Sequence, residues 1–354
     1  MLVLADELDG LDPAKQLKAE RKAWAMERKD IEAESDRLRT LLDLTRRVAE
    51  NRGRRIAWSI GGRRKAGRSR AVVTTILSDL HLDETVRPEE MHHVNAYDRR
   101  IAQMRLGRWV DKACSLPREH MAGVDYDGVA LFLAGDLLSG DIHEELRKTN
   151  ADTIAGGIAY WIDPLSKAVK ALADTYGKVT VDVVAGNHGR NPLNRRSPAK
   201  GRARDNFDTL IGWLIARDFA QDPRVEVHVE ESTDAYRKIY NHRYLVNHGD
   251  SAKGGSGIAG ALSPLMLFSH RKGKATSATG QPYDTMVVGH WHQLMMLPGQ
   301  GLIVNGSLKG WDEYARISGF SYEPPQQGLW LTTPEHGITV TMPVLVQDRK
   351  AEGW

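Results

Sequence analysis

The chain contains one cysteine, Cys114, among 354 residues. A single thiol excludes an intrachain disulfide and any thiolate-held metal cluster, and a reducing compartment is the simpler setting for it. Long apolar runs are also missing. A membrane helix needs ~18 or more consecutive apolar residues, and no stretch approaches that. The opening Met1-Leu2-Val3-Leu4 run stops at Asp6 and Glu7, short of the apolar region of a signal peptide. The expectation is a soluble, cytoplasmic protein with no membrane partner. A surplus of one charge is lacking too, since 49 Lys and Arg against 46 Asp and Glu leave a net +3. The sum announces no nucleic-acid partner, so the distribution of charge has to be read instead. What is present is a hydrophobic fraction of 41%, enough for a proper core in one large domain with an appendage.

Residues 1–50 read as a charged helix, because no glycine or proline interrupts the stretch from Pro13 to Glu50 after its start. Leu17, Trp24, Ile31 and Leu38 recur every seven residues, and Leu41, Leu42 and Val48 join late. The companion apolar position is filled by Glu20, Glu27 and Glu34. That is half of a coiled-coil signal, which suits a helix laid on its own domain or one that dimerises or binds a partner. Residues 51–71 carry Arg52, Arg54, Arg55, Arg63, Arg64, Lys65, Arg68 and Arg70 among glycines, with no acidic residue. This composition reads as a linker or a polyanion-binding arm.

From 72 to 354 short apolar runs alternate with helical patterns. Strands are predicted at Val72–Leu77, Val129–Leu133, Val179–Val184, Arg224–Val229, Tyr244–Val246, Thr285–Val288 and Leu302–Val304. Helices are predicted at Tyr97–Ser115, Thr153–Tyr176 and Asn206–Phe219, and two late strands at Gly328–Thr332 and Ile338–Met342. The pattern is an α/β domain that becomes β-rich toward its end.

The residues suited to chemistry follow these strands. Asp79-Leu80-His81 comes after the first, Gly135-Asp136 after the second and Gly186-Asn187-His188 after the third. Asn247-His248-Gly249-Asp250 and Gly289-His290-Trp291-His292 follow two later ones. In open α/β sheets the carboxyl ends of strands are where ligands gather. Each piece alone is weak, since a lone histidine on a loop is more often solvated or packed than a ligand; the ordered set is specific. Carboxylate, imidazole and amide donors suit Mn²⁺, Fe or Zn²⁺, and the Asp136 carboxylate has enough lone pairs to bridge two ions. The glycines before Asp136, Asn187 and His290 would let the backbone turn sharply.

The pattern D-x-H, G-D, G-N-H, H, G-H-x-H, with Asn305-Gly306-Ser307 after it, resembles the calcineurin-like metallophosphoesterase superfamily. Its phage and bacterial members are the more similar ones, and its DNA-repair nucleases are distantly similar. The resemblance implies a four-layer α/β/β/α sandwich carrying an N-terminal helical extension, with two divalent metal ions at one rim. Mn²⁺ is the first candidate, with Fe, Zn²⁺ or Ni²⁺ as others. It further implies that Asp79, His81 and His292 hold one ion and Asn187, His248 and His290 the other. Asp136 would bridge them, and His188 would face the substrate as the catalytic residue. The chain departs from the family at Gly189, where an acidic residue commonly orients that histidine.

Two ions ~3.5–4 Å apart would clamp a phosphoryl group and lower the pKa of water toward 7 for in-line attack at phosphorus. The loop after His188 carries Arg190, Arg195, Arg196, Lys200, Arg202 and Arg204, and His270-Arg271-Lys272-Gly273-Lys274 forms a second basic cluster in a glycine- and serine-rich stretch. Basic loops at such a centre favour a polyanion, with Arg190, Arg195 and Arg196 as substrate-binding residues. The expected function is a phosphodiesterase or nuclease acting on nucleic acid or nucleotides. The alternatives are a phosphomonoesterase and, in another class, a partner- or nucleic-acid-binding protein with a vestigial metal site. His143 is expected on a helix capped by Asp141; Trp291 and Trp311 are expected to pack in the core rather than stack on a base.

Overall fold

A computed structural model describes residues 12–50, 68–191, 199–253, 260 and 262–354. The chain divides into two compact units, Met1–Ala66 and Gly67–Trp354. In the first, α1 (Pro13–Glu50) runs unbroken for 38 residues. Its Leu17, Trp24, Ile31 and Leu38 side chains are exposed, and Arg28 Nε reaches Glu32 one turn on at 2.9 Å.

The second unit runs β1 (Ser69–Leu77), α2 (Arg99–His120), β2 (Val124–Leu133), α3 (Glu144–Thr149), α4 (Ile154–Tyr176), β3 (Val179–Val183), α5 (Phe207–Asp218) and β4 (Val225–Val229). It continues with β5 (Asp234–Ile239), β6 (His242–Asn247), α6 (Leu262–Ala278), β7 (Thr285–Val288), β8 (Met295–Leu297) and β9 (Leu302–Val304). Then come α7 (Glu313–Ile317), β10 (Gln326–Thr333), β11 (Gly337–Leu345) and α8 (Arg349–Glu352). The helices that flank the site begin on side-chain caps. Asp98 accepts from Ile101 N, Thr153 from Gly156 N and Asn206 from Asp208 N, each satisfying an amide that a helix N-terminus leaves open.

Two sheets form. The six-stranded sheet has the order β11-β10-β1-β2-β3-β4, and the five-stranded sheet β5-β6-β7-β9-β8. β1 to β4 are mutually parallel, as are β6, β7 and β9, while β5, β8, β10 and β11 pair antiparallel at the margins. Parallel strands are buried on both faces, which explains their continuous Val, Ile and Leu runs. Phe132, Val184, Tyr244, Val287, Ile303 and Trp330 fill the space between the sheets. Trp109, Trp161, Leu172 and Ile211 pack helices α2, α4 and α5 on the outer face of the larger sheet. Leu265 of α6 joins Leu245 and Met286 on the outer face of the smaller one. Helix, sheet, sheet and helix give the four layers expected.

Two sequence expectations change. Arg68 and Arg70, read as the end of a basic arm, pair with Asp125 and Asp127, and Arg70 lies inside β1. The rest of the arm lies outside the described residues. The His270–Lys274 cluster is not a loop but part of α6, and Lys272 Nζ is 2.5 Å from Asp234. Its glycine and serines hid the helix, since only Leu265 and Thr276 along it are buried and no apolar stripe repeats. Strands β5 and β8 leave weak sequence signals at the sheet edges: Asp234-Ala235-Tyr236-Arg237-Lys238-Ile239 carries charge, and β8 is only three residues long.

Candidate metal centre

The carboxyl ends of β1, β2, β3, β6 and β7 share one rim of the sandwich, and each delivers the residues predicted for it. Asp79, His81, Asp136 and His248 are fully buried, with at most 2% of their surface exposed, whereas Asn187, His188, His290 and His292 are half-buried. Asp79 Oδ1 lies 3.4 Å from His292 Nε2, and His292 Nε2 lies 3.1 Å from His81 Nε2. Across the rim His248 Nε2 sits 3.0 Å from Asp136 Oδ2 and 3.1 Å from Asn187 Oδ1. Asp79, His81 and His292 form one group able to hold a cation, and Asp136, His248 and His290 another; Asp136 also groups with His81 and His188.

These spacings fit metal ions. Two donors on one ion at about 2.1 Å lie about 3.0 Å apart in an octahedron and about 3.4 Å in a tetrahedron. The ring nitrogens of His81 and His292 face each other at 3.1 Å, an arrangement a shared cation satisfies. Protonation supports the same reading. Burial, then the Lys309 and His188 charges, hold His81 at about 4; burial and the His248 charge hold His290 at about 4. Both are therefore neutral donors at physiological pH. Burial alone would lower His248 as well, but Asp136 beside it drives it up to about 10, which marks a place where negative charge calls for a cation.

The backbone shows the cost of this convergence. Asp79, His81, Asp136, His290 and His292 all have φ between 46° and 66°, within a set of nine such non-glycine residues among those described. Each left-handed residue costs of order 1–3 kcal/mol and persists only where its surroundings over-determine it. Here Gly135 O accepts from Asp79 N and Asp136 O from His81 N, both at 3.1 Å. The Asp79 carboxylate accepts from His290 N at 2.9 and 3.0 Å, so one ligand pins another. The preceding glycines do more than turn the chain. A Cβ on Gly186 would come within 2.2 Å of Asp136 Oδ1, and one on Gly289 within 2.5 Å of Asp79 Oδ2. Those positions are kept open for the carboxylates.

His188 is held without an acidic partner. Its Nδ1 is 2.7 Å from the Ser139 carbonyl, which can only accept, so Nδ1 carries a proton and Nε2 is the atom left for a substrate. Its amide donates to Asp136 Oδ1 at 2.7 Å. Sequence reading missed this carbonyl because a backbone acceptor leaves no trace in residue type. It also missed three supporting side chains. Asp208 accepts from the amides of Asp136 and Leu137 at 3.0 Å and of Gly186 at 2.8 Å, lacing the β2 and β3 loops together. Glu84 Oε2 lies 3.3 Å from His81 Nδ1, off-line for a hydrogen bond. Lys309 Nζ, almost fully buried, grips Glu84 Oε1 at 2.7 Å. Against the cost of burial, Lys309 and His81 together hold the Glu84 carboxyl well below the usual range.

The basic residues divide. Arg190 follows His188 by two positions, and its buried Nε has no partner among the described residues. Arg195 and Arg196 lie outside the described residues. Arg202 is neutralised by Asp250. His143 is not carried on a helix capped by Asp141: it is itself the residue before α3, without a side-chain cap. Its ring stands 5.7 Å from that of His188. Trp291 and Trp311 pack at core margins as expected.

No protein-family model matches the chain, and no curated protein matches it. Several solved structures do. A dimetal phosphatase from Danio rerio shares 10% identity over 78% of this chain and 99% of its own, with a TM-score of 0.33. A conserved protein from Streptococcus pneumoniae described as a predicted phosphoesterase shares 12% over 77% and 97%, with a TM-score of 0.29. Vacuolar Protein Sorting 29 from Cryptosporidium parvum shares 11% over 77% and 97%, with a TM-score of 0.31. All are distant in sequence and in superposition. On its own architecture the chain is a four-layer α/β/β/α sandwich, with two facing sheets whose parallel strands bring two histidine-carboxylate groups to one rim.

Proposed function

We propose that the chain is a metal-dependent phosphodiesterase acting on nucleic acid or nucleotides. The observation that carries the hydrolase is two ligand groups, Asp79, His81 and His292 on one side and Asp136, His248 and His290 on the other, linked by the group of His81, Asp136 and His188. Asp79, His81 and His292 would hold one divalent ion and Asn187, His248 and His290 the other, with Asp136 shared; Mn²⁺ suits this mixed set of carboxylate, imidazole and amide donors. Such a pair, when bound, supplies Lewis-acid charge and lowers the pKa of water toward 7.

The chain's own groups do the rest. Asp136 would be the carboxylate that both ions share, since its two oxygens offer enough lone pairs for two. His188, its Nδ1–H held by Ser139 O, presents Nε2 to the leaving oxygen; in the imidazolium form Nε2 also carries a proton, and passing that proton to the leaving oxygen, which leaves the ring neutral, is worth ~10²–10⁴-fold. Arg190, whose buried Nε has no hydrogen-bond partner among the described residues, stands on the same loop and suits a phosphate next to the scissile one, which supports a diester with extended backbone. One observation favours a monoesterase instead: Asp250 already occupies Arg202, which leaves fewer cations for a polyanion.

The two readings separate in one assay. With Mn²⁺ supplied, a bis-nitrophenyl diester and an oligonucleotide should turn over faster than a mono-nitrophenyl ester. Faster release from the monoester would move the phosphatase reading ahead, and no turnover of any ester would favour a binding protein.

A further inference from the structure

Asp79 has two carboxylate oxygens, and the amide that pins it does not tell them apart. His290 N reaches Oδ1 at 2.9 Å and Oδ2 at 3.0 Å. What distinguishes the oxygens is Ser78, fully buried one residue earlier. Its Oγ stands 2.5 Å from Asp79 Oδ2, within the range of a charge-assisted O–H···O⁻ bond. Oδ1 takes no such bond and lies 3.4 Å from His292 Nε2. Gly289 keeps the room for this contact, since a Cβ there would come within 2.6 Å of Ser78 Oγ as well as 2.5 Å of Asp79 Oδ2.

The direction of the hydroxyl follows from partners that cannot be reversed. Gly328 N donates to Asn305 Oδ1 at 2.9 Å, so the other end of that amide, Nδ2, is the donor. Asn305 Nδ2 donates to Ser78 Oγ at 2.9 Å and to Gln327 Oε1 at 2.6 Å. Gln327 is fixed in turn, because its Oε1 accepts from Ser78 N at 3.1 Å and its Nε2 donates to the Ser78 carbonyl at 3.2 Å. With a donor already on Oγ, the hydroxyl proton is left for the carboxylate, which can only accept. We propose that Ser78 is a positioning residue of the metal centre: its hydroxyl, aimed by Asn305, commits Oδ2 of Asp79 to hydrogen bonding and leaves Oδ1 as the one oxygen offered to the ion held with His81 and His292. The proposal rests on the metal-centre reading above. A carboxylate held to one donor atom leaves a coordination position that its second oxygen would fill, and an open position is what separates a catalytic metal site from a closed structural one. Ser78 thereby reserves room for a phosphoryl oxygen of the substrate.

Calorimetric titration of the metal-free full chain with Mn²⁺ should show two ions in the wild type. In Ser78→Ala one ion should bind about 10–100-fold more weakly, while the other keeps its wild-type affinity. Asn305 Nδ2 would retain Gln327 Oε1, so no buried donor is orphaned and the fold should survive. Co²⁺ in place of Mn²⁺ adds a readout that general loosening would not move selectively. The visible spectrum of the weakened step should change, since it follows coordination number and geometry, and that of the other step should not. Asn305→Ala, which keeps the hydroxyl but frees its direction, should weaken the same step, and in the Ser78→Ala background it should add no further loss. Identical titrations for wild type and Ser78→Ala, or an equal loss at both steps, would overturn the proposal. So would an Asn305→Ala chain that binds both ions as the wild type does, which decides the matter if Ser78→Ala does not fold. A wild type that takes up neither metal would instead overturn the metal centre itself.

Discussion

At the scale of single residues, the centre is built from conformations that most side chains avoid. Five of the candidate ligands sit at positive φ, and the hydrogen bonds that hold them there run between the ligands themselves, as from His290 N to the Asp79 carboxylate. Two predictions belong at this scale. Asp136 is the one carboxylate shared by the ligand groups, so Asp136→Asn should lose at least one ion per chain and nearly all turnover, as elemental analysis beside an esterase assay would show. Gly140 has φ +68°, and a Cβ there would come within 2.0 Å of the His188 carbonyl oxygen. Gly140→Ala should therefore cost about 1–3 kcal/mol of stability. By moving His188 it should also lower turnover about 10²-fold, while metal content stays at the wild-type value.

At the scale of elements, strands deliver the ligands and buried charge pairs aim them. Lys309 follows β9, and Glu84 follows the β1 loop; their contact at 2.7 Å backs the His81 ring from behind. Partners of this kind fix ring orientation and typically carry 10–100-fold in metal affinity. Glu84→Ala should weaken metal binding by about that factor in a chelator competition, and Lys309 would keep its pairing to Asp312, so the fold should survive. A second pair acts on stability instead. Arg105 of α2 and Glu352 of α8 are both fully buried and meet at 2.9 Å, and Arg105 also reaches the carbonyls of Leu308 and Lys309. Breaking a buried pair by removing one partner costs about 3–5 kcal/mol. Arg105→Met should lose most of that in urea denaturation, because Arg108, 3.6 Å from Glu352, is a poor substitute.

At the scale of the whole molecule, the chain divides into two compact units. Every candidate ligand lies within Gly67–Trp354, so a chain lacking residues 1–66 should keep both metals and its turnover of small nitrophenyl esters. It should bind oligonucleotides more weakly, since Arg52, Arg54, Arg55, Arg63, Arg64 and Lys65 go with the deletion. If those residues grip a nucleic-acid backbone, the log–log salt dependence of binding should flatten by about 0.7–0.9 for each phosphate they neutralise. Fluorescence titrations at several salt concentrations would measure it, and identical slopes for both chains would leave the arm no such role.

The α/β architecture, most of its strands and the entire candidate ligand set were legible in the sequence. Buried parallel strands leave continuous apolar runs, and metal donors must come from a few residue types at their ends. Thr285–Val288 and Leu302–Val304 match the observed strands residue for residue. What stayed hidden had no local signature. Glu84, Asp208 and Lys309 are ordinary charged residues in the sequence, and only the packing of distant segments makes them supports of the centre. The Ser139 carbonyl that orients His188 is backbone, invisible in residue type. Arg202 and Lys272 read as free cations until Asp250 and Asp234 were brought beside them. Residue chemistry and periodicity are properties of the chain, so they determined the fold class and the candidate ligands. Pairing and tautomer are properties of contacts between segments far apart in sequence, and those only the tertiary structure decided.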